Sequence, residues 1–142
     1  MLPDYASVNL SEPDAPQVME LMRSAGVGIE AGLATVEDAE RFIALADHDK
    51  VLRILIEIEE QDLNAAVALV DGITSVLANA SVTKSILLHG FDATTWDFVR
   101  LARKRNWSTR IGLEDCRTMP DGNLATGNEA LVASALAIYR HQ

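Results

Sequence analysis

The sequence holds a single cysteine, Cys116, which excludes an internal disulfide and fits a reducing cytoplasm. No histidine is close in sequence to activate it, so it reads as a bystander thiol rather than a nucleophile. Cations are also scarce. Twelve Lys and Arg against 21 Asp and Glu leave a formal net charge of -9 and a sequence pI near 4.7. That balance argues against nucleic acid or an anionic membrane surface as a partner. No apolar run approaches the ~18 residues of a membrane span. The start, Met1-Leu2-Pro3-Asp4-Tyr5, has neither the basic region nor the apolar stretch of a signal peptide. The chain also lacks the phosphate-cradling GxGxxG and GxxxxGK patterns, the GxSxG elbow, and the HxH, HExxH or CxxC pairs that hold zinc.

What is present is an ordinary globular composition, 49% hydrophobic and 23% charged over 142 residues, enough for one domain with a sizeable core. Strands are expected at 5–10, 27–33, 51–58, 85–90 and 109–115. Helices are expected at 14–25, from Thr35 to about 46, at 62–80, at 92–106, and finally around Leu131–Tyr139. Val18, Leu21 and Met22 give the first helix its apolar face, and Gly26 closes it. Val36, Ala39, Ile43 and Ala46 form the stripe of the second, which Thr35 and Asp38 open as an approximate capping box. The run Val51–Ile58 is nearly all apolar, as suits a parallel strand buried on both faces. Met119-Pro120-Asp121-Gly122 reads as a turn. This strand–helix rhythm predicts an α/β fold with a parallel sheet, its crossovers right-handed and successive strands side by side.

The stretch Thr109-Arg110-Ile111-Gly112-Leu113-Glu114-Asp115 stands out. As a strand with period 2, it puts Arg110, Gly112 and Glu114 on one face and Ile111 and Leu113 on the other. A buried arginine is costly unless paired, so the pattern suggests a site, with a structural ion pair as the competing reading. Polar residues also gather toward the C-terminal ends of the expected strands: Asn9, Glu30, Glu57 with Glu59, His89, and Glu114 with Asp115. Sites of parallel α/β folds lie at that edge, although loops begin there too, which accounts for Glu59 and Glu57. Arg110 could bind a substrate carboxylate or hold Asp115 ionised. Asp115 could act as general base beside a carbonyl, and a metal held partly by Glu114 would polarise that carbonyl. His89 offers a further donor, whereas His48 lies at the opposite end of the sheet and reads as a surface residue.

These residues resemble the β-keto acid cleavage enzymes, also called 3-keto-5-aminohexanoate cleavage proteins. The resemblance is carried by Thr109–Asp115, by Pro120-Asp121-Gly122 and by Gly127-Asn128-Glu129-Ala130-Leu131-Val132. Tyr5-Ala6-Ser7-Val8-Asn9 and Gly26–Gly32 look similar to mid-barrel strands of that family. The resemblance implies a zinc-dependent TIM barrel that condenses a β-keto acid with acetyl-CoA and cleaves the product to acetoacetate and a new CoA ester. It also implies Glu114 as a zinc ligand, Asp115 and Arg110 as the general-base pair, and Ser7, Asn9 and Glu30 as substrate contacts.

A TIM barrel needs about 250 residues, so residues 1–142 are expected to form one partial-barrel domain of about five βα units, corresponding to strands four to eight. Met1 would then be an internal or alternative start. The family's HxH segment and base-relay serine have no counterpart here. The expected partners are a β-keto acid, an acyl-CoA, and a second copy or a complementing barrel segment. The alternative is a non-catalytic half-barrel fragment or partner subunit. A third reading, an unrelated open α/β ligand-binding domain, would place helices on both faces of the sheet.

Overall fold

Thr35 begins the second helix as expected. Its hydroxyl accepts from the Asp38 backbone N–H at 3.1 Å, and the Asp38 carboxylate accepts from the Thr35 and Ala34 N–H groups. Two orphan donors of a helix start are satisfied this way. Gly26, at φ 75°, closes the first helix while the Val27 N–H reaches back to the Met22 carbonyl at 2.9 Å, a left-handed stop that glycine adopts without a Cβ penalty. Asp62 caps the third helix through the Ala65 N–H at 2.9 Å.

Such local signals set the boundaries in the computed structural model, which describes residues 1–141. Five strands alternate with helices: β1 Tyr5–Asn9, α1 Ala15–Ser24, β2 Gly28–Leu33, α2 Val36–Ile43, β3 Arg53–Ile58, α3 Leu63–Asn79, β4 Ile86–Gly90, α4 Thr95–Lys104, β5 Ser108–Thr109 and α5 Asn128–Arg140. All strand pairs are parallel, in the order β1-β2-β3-β4-β5. Sequential order with right-handed crossovers puts the connecting helices on one side.

The core follows that rule. Val8, Ile29, Ala31, Leu33, Ile54, Ile56, Ile58 and Leu88 alternate along the strands and meet Ala15 and Met19 of α1, Phe42 of α2, Ala66, Val70 and Ile73 of α3, and Phe98 of α4. Each fully buried Ile, Leu or Phe contributes about 1.5–3 kcal/mol. Helices α1 to α4 therefore cover one face, which disfavours an open domain with helices on both. Trp96 and Val99 of α4 form a second cluster with Leu131 and Ala135 of α5, against which Ile111 and Leu113 pack. Among the described residues no helix is long and apolar enough to cross a membrane.

Three expectations need correction. The fifth strand is only Ser108–Thr109, so Arg110 lies just beyond it and the shared face of Arg110, Gly112 and Glu114 does not form. β5 pairs only with β4, and the chain turns back at Gly112, whose carbonyl accepts from both the Asp115 and Cys116 N–H groups at 3.1 and 3.0 Å. Leu21, placed on the apolar face of α1, is 70% exposed, because Ala15 and Met19 face the sheet instead. In the second helix Phe42, not Ala46, is the buried anchor.

Candidate functional site

Side chains alternating with the apolar core project from the other face of the sheet, where polar residues surround the buried Leu55 and Leu87. The register aligns Ser7 with Glu30 and Glu30 with Arg53, one row across β1, β2 and β3. Glu30 is fully buried. The Ser7 hydroxyl donates to its Oε1 at 2.6 Å, and the Arg53 Nε–H donates to its Oε2. Arg53 also donates to the Tyr5 hydroxyl at 3.0 Å and lies over the Tyr5 ring. Burial pulls the Arg53 guanidinium down, but the hydrogen bond and charge of Glu30, together with Tyr5, outweigh it and hold the group above its ordinary value.

A second row lies nearer the strand ends, where Glu57 of β3 is in register with His89 of β4. His89 is only 3% exposed. Its Nδ1 is 3.2 Å from Glu57 Oε2 and its Nε2 is 3.0 Å from Asp115 Oδ2. The latter contact is close but misaligned, and Nε2 has no hydrogen-bond partner. Asp115 is held by its backbone, its carbonyl accepting from the Asp92 N–H at 2.9 Å and its N–H bound to the Gly112 carbonyl. The Phe91 ring rests against the imidazole, 4.8 Å between centroids.

Arg110 joins the two rows. Its Nη2 is 3.9 Å from Glu30 Oε1 and 3.7 Å from Glu57 Oε2. In a flat sheet β2 and the end of β5 would be separated by roughly 14 Å, three strand spacings. An arginine that crosses this span to a glutamate requires the polar face to be concave. A cleft of about 600 Å³ opens beside it, lined by Arg53, Arg110, Leu87, Ser108 and, from α5, Val132 and Leu136.

The fold therefore brings together Ser7, Glu30 and Arg110 of the anticipated site, and connects Asp115 to them only through His89 and Glu57. Asn9 sits at the rim, its side-chain amide lying over Gly32, where any Cβ would collide with it. Glu114 is not part of the constellation. It is exposed, its carboxylate folds over Gly112, and it lines one hollow with Leu113, Arg117 and Leu124 and another beside Asp115 and Asp92. Arg110 and Asp115 do not pair as anticipated. Arg110 is drawn to Glu30 and Glu57, and Asp115 to His89.

Sequence reasoning missed Arg53, which lies within a run read as nearly all apolar. The period-2 test applied to Arg110 would have found it, because Arg53 and Glu57 share a face. Glu57 was set aside as a loop-edge acid, yet its carboxylate contacts both His89 and Arg110. His48 is structural: half-buried, its Nδ1 lies 2.8 Å from the Leu45 carbonyl and its ring meets the edge of Phe42.

Among the described residues no three His, Cys, Asp or Glu side chains converge to hold a metal ion. A single carboxylate, Glu114, does not fit zinc, which takes three or four protein ligands. Chemically, the site offers a cation over a concave face, a buried carboxylate fixed by Ser7 and Arg53, and an imidazole between two carboxylates. Compared with models of protein families and with curated proteins, the chain matches none.

Proposed function

We propose that the chain is the C-terminal portion of a TIM barrel of the β-keto acid cleavage type, acting on a β-keto acid and acetyl-CoA. The observation that carries this reading is the concave face on which Ser7, Glu30 and Arg110 gather, with Asp115 joined to them through His89 and Glu57, while helices α1 to α4 cover the opposite face. Sequential parallel strands with helices on one side are the geometry of a barrel segment, and the barrel identity rests on that likeness together with the sequence resemblance. In this reading Arg110 anchors the carboxylate of the keto acid, Asp115 accepts the proton from the carbon beside the carbonyl, and Ser7, Glu30 and Asn9 shape the substrate side.

The zinc implied by the resemblance does not fit the donors of this chain, so no step is derived through it. A zinc ion would require ligands from another segment beside Glu114. That shortfall favours a second reading, a non-catalytic half-barrel or partner subunit, which predicts no turnover under any complementation. The deciding experiment combines the chain with an N-terminal barrel segment carrying an HxH pair. Zinc content and acetoacetate formation from a β-keto acid and acetyl-CoA are then measured. Turnover that is lost in Asp115→Asn and Arg110→Ala supports the enzyme reading, and turnover that survives both substitutions overturns the assigned roles.

A further inference from the structure

We infer that the cleft between β5 and α5 binds a carboxylate carried on a short aliphatic chain, its head held by Arg110 and its chain covered by α5. Three observations carry this. The first is charge. The protein has 21 acidic residues against twelve basic ones, yet among the described residues the charged side chains lining this cleft are two cations, Arg53 and Arg110. Glu30 lies behind them, fully buried, with one oxygen on the Ser7 hydroxyl and the other on Arg53. Glu57 lines a different hollow, with Asn9 and Glu59. The second is donor capacity. Arg53 is committed to Glu30 and Tyr5, but the carboxylate oxygens near Arg110, at 3.7 and 3.9 Å, are beyond hydrogen-bond distance. Its fork is left open for the two oxygens of a ligand carboxylate.

The third is the wall. Val132 and Leu136 of α5 are 44% and 46% exposed, and both line this cleft together with Leu87 and Ile111. Wall hydroxyls are already spent inside the protein. Thr109 donates to the Leu88 carbonyl at 2.9 Å, and Tyr139 to the Trp107 carbonyl at 2.8 Å. An aliphatic chain laid here covers apolar surface that water now touches. A polar substituent in the same place gives up its water without a partner in return. The volume of about 600 Å³ falls within the roughly 300–1,000 Å³ of small-molecule sites. Arg110 thus selects the charge of the ligand, and Val132 and Leu136 select its substituent. The choice of a carboxylate as head group rests on the proposed function, whereas the apolar chain is read from the walls alone.

The test uses unreactive probes and needs no turnover. Propionate, hexanoate and the ω-amino analogue of hexanoate are titrated into the chain while backbone and arginine NMR resonances are followed. Hexanoate is expected to bind at least roughly tenfold more tightly than propionate, since each buried methylene is worth up to about fourfold. The amino analogue is expected to fall back to the level of propionate. Val132→Asn and Leu136→Asn alter exposed positions, and thermal unfolding checks that both variants fold. Each should shrink the chain-length gain and leave propionate binding unchanged, while Arg110→Met should abolish binding of both acids. Equal affinity for hexanoate and propionate, or for hexanoate and its amino analogue, would overturn the inference, as would no binding of any probe. Hexanoate binding that survives Leu136→Asn and Val132→Asn undiminished would overturn it equally. A complemented barrel that fails to turn over would count against the proposed function, while hexanoate binding to the chain by itself would still decide this inference.

Discussion

Glu30 and Arg53 face each other across β2 and β3, the carboxylate fully enclosed and the guanidinium a quarter exposed. The pair is asymmetric in consequence. Replacing Arg53 by Met leaves a buried carboxylate with only the Ser7 hydroxyl as side-chain donor, and should cost about 3 kcal/mol, the lower end for a broken buried pair. Glu30→Gln keeps the shape and leaves a cation that can reach water, so it should cost less. The double substitution should cost less than the sum of the two. Urea denaturation of the three variants tests this, and strictly additive losses would show the two residues to be energetically independent.

Arg110 presents the opposite case. Its side chain is 40% exposed and its contacts of 3.7 and 3.9 Å are too long for hydrogen bonds. Arg110→Met should change stability by about 0–1 kcal/mol. In an active complemented barrel the same substitution should lower kcat/KM by roughly 10²-fold or more, the scale of a lost anchoring or proton-transfer contact. A stability loss as large as that of Arg53→Met would identify Arg110 as a structural residue.

Gly90 ends β4 in a space with no room for a side chain. A Cβ there would lie 2.7 Å from Thr94 Oγ1 and 3.0 Å from the Phe98 ring. Phe98 is fully buried and cannot withdraw, so Gly90→Ala should destabilise the chain by about 1–3 kcal/mol. At Gly112 the obstructing group is the exposed, flexible Glu114 carboxylate, and Gly112→Ala should therefore be far milder. Thermal unfolding of the two variants side by side checks the contrast.

Tyr139 gives a stability dependence at high pH. Its hydroxyl donates to the Trp107 carbonyl at 2.8 Å. Burial pushes the phenol up from its ordinary value of 10.0, with the positive charge of Arg103 opposing. A raised value means that the folded chain holds the proton more tightly than the unfolded one. The contribution is complete below pH 10.0 and is lost as pH rises through the folded value. Tyr139→Phe should remove this component, giving a shallower loss of stability above that pH. An identical slope in the two proteins would show that Tyr139 contributes none of it.

The α/β rhythm was legible because it rests on local signals: the Thr35–Asp38 cap, Gly26 after α1, and the turn at 119–122, where the Gly122 N–H meets the Met119 carbonyl at 2.9 Å. The sidedness of the helices followed from strand order. The site was legible only in part. Ser7, Glu30 and Arg110 do lie together and Asp115 reaches them through His89 and Glu57, but these pairings depend on sheet curvature and on the return of the chain at Gly112, neither of which is written in spacing. β5 came out short because the chain leaves the sheet after Thr109 and turns back at Gly112. The contact between His89 and Asp115 joins a strand to the loop after the next one, and no periodicity connects those positions.

The strand order also bears on how the chain reaches its native state. Each strand pairs only with its immediate predecessor and successor, so every closure spans a single helix and its turns, and the entropic cost of each is small. Folding can then proceed as a zipper, starting at any adjacent pair and spreading outward without threading. By the same logic, shortening the chain at its β1 end would peel away one βα unit and leave the β3–β4 pairing, with its Glu57–His89 contact, in place.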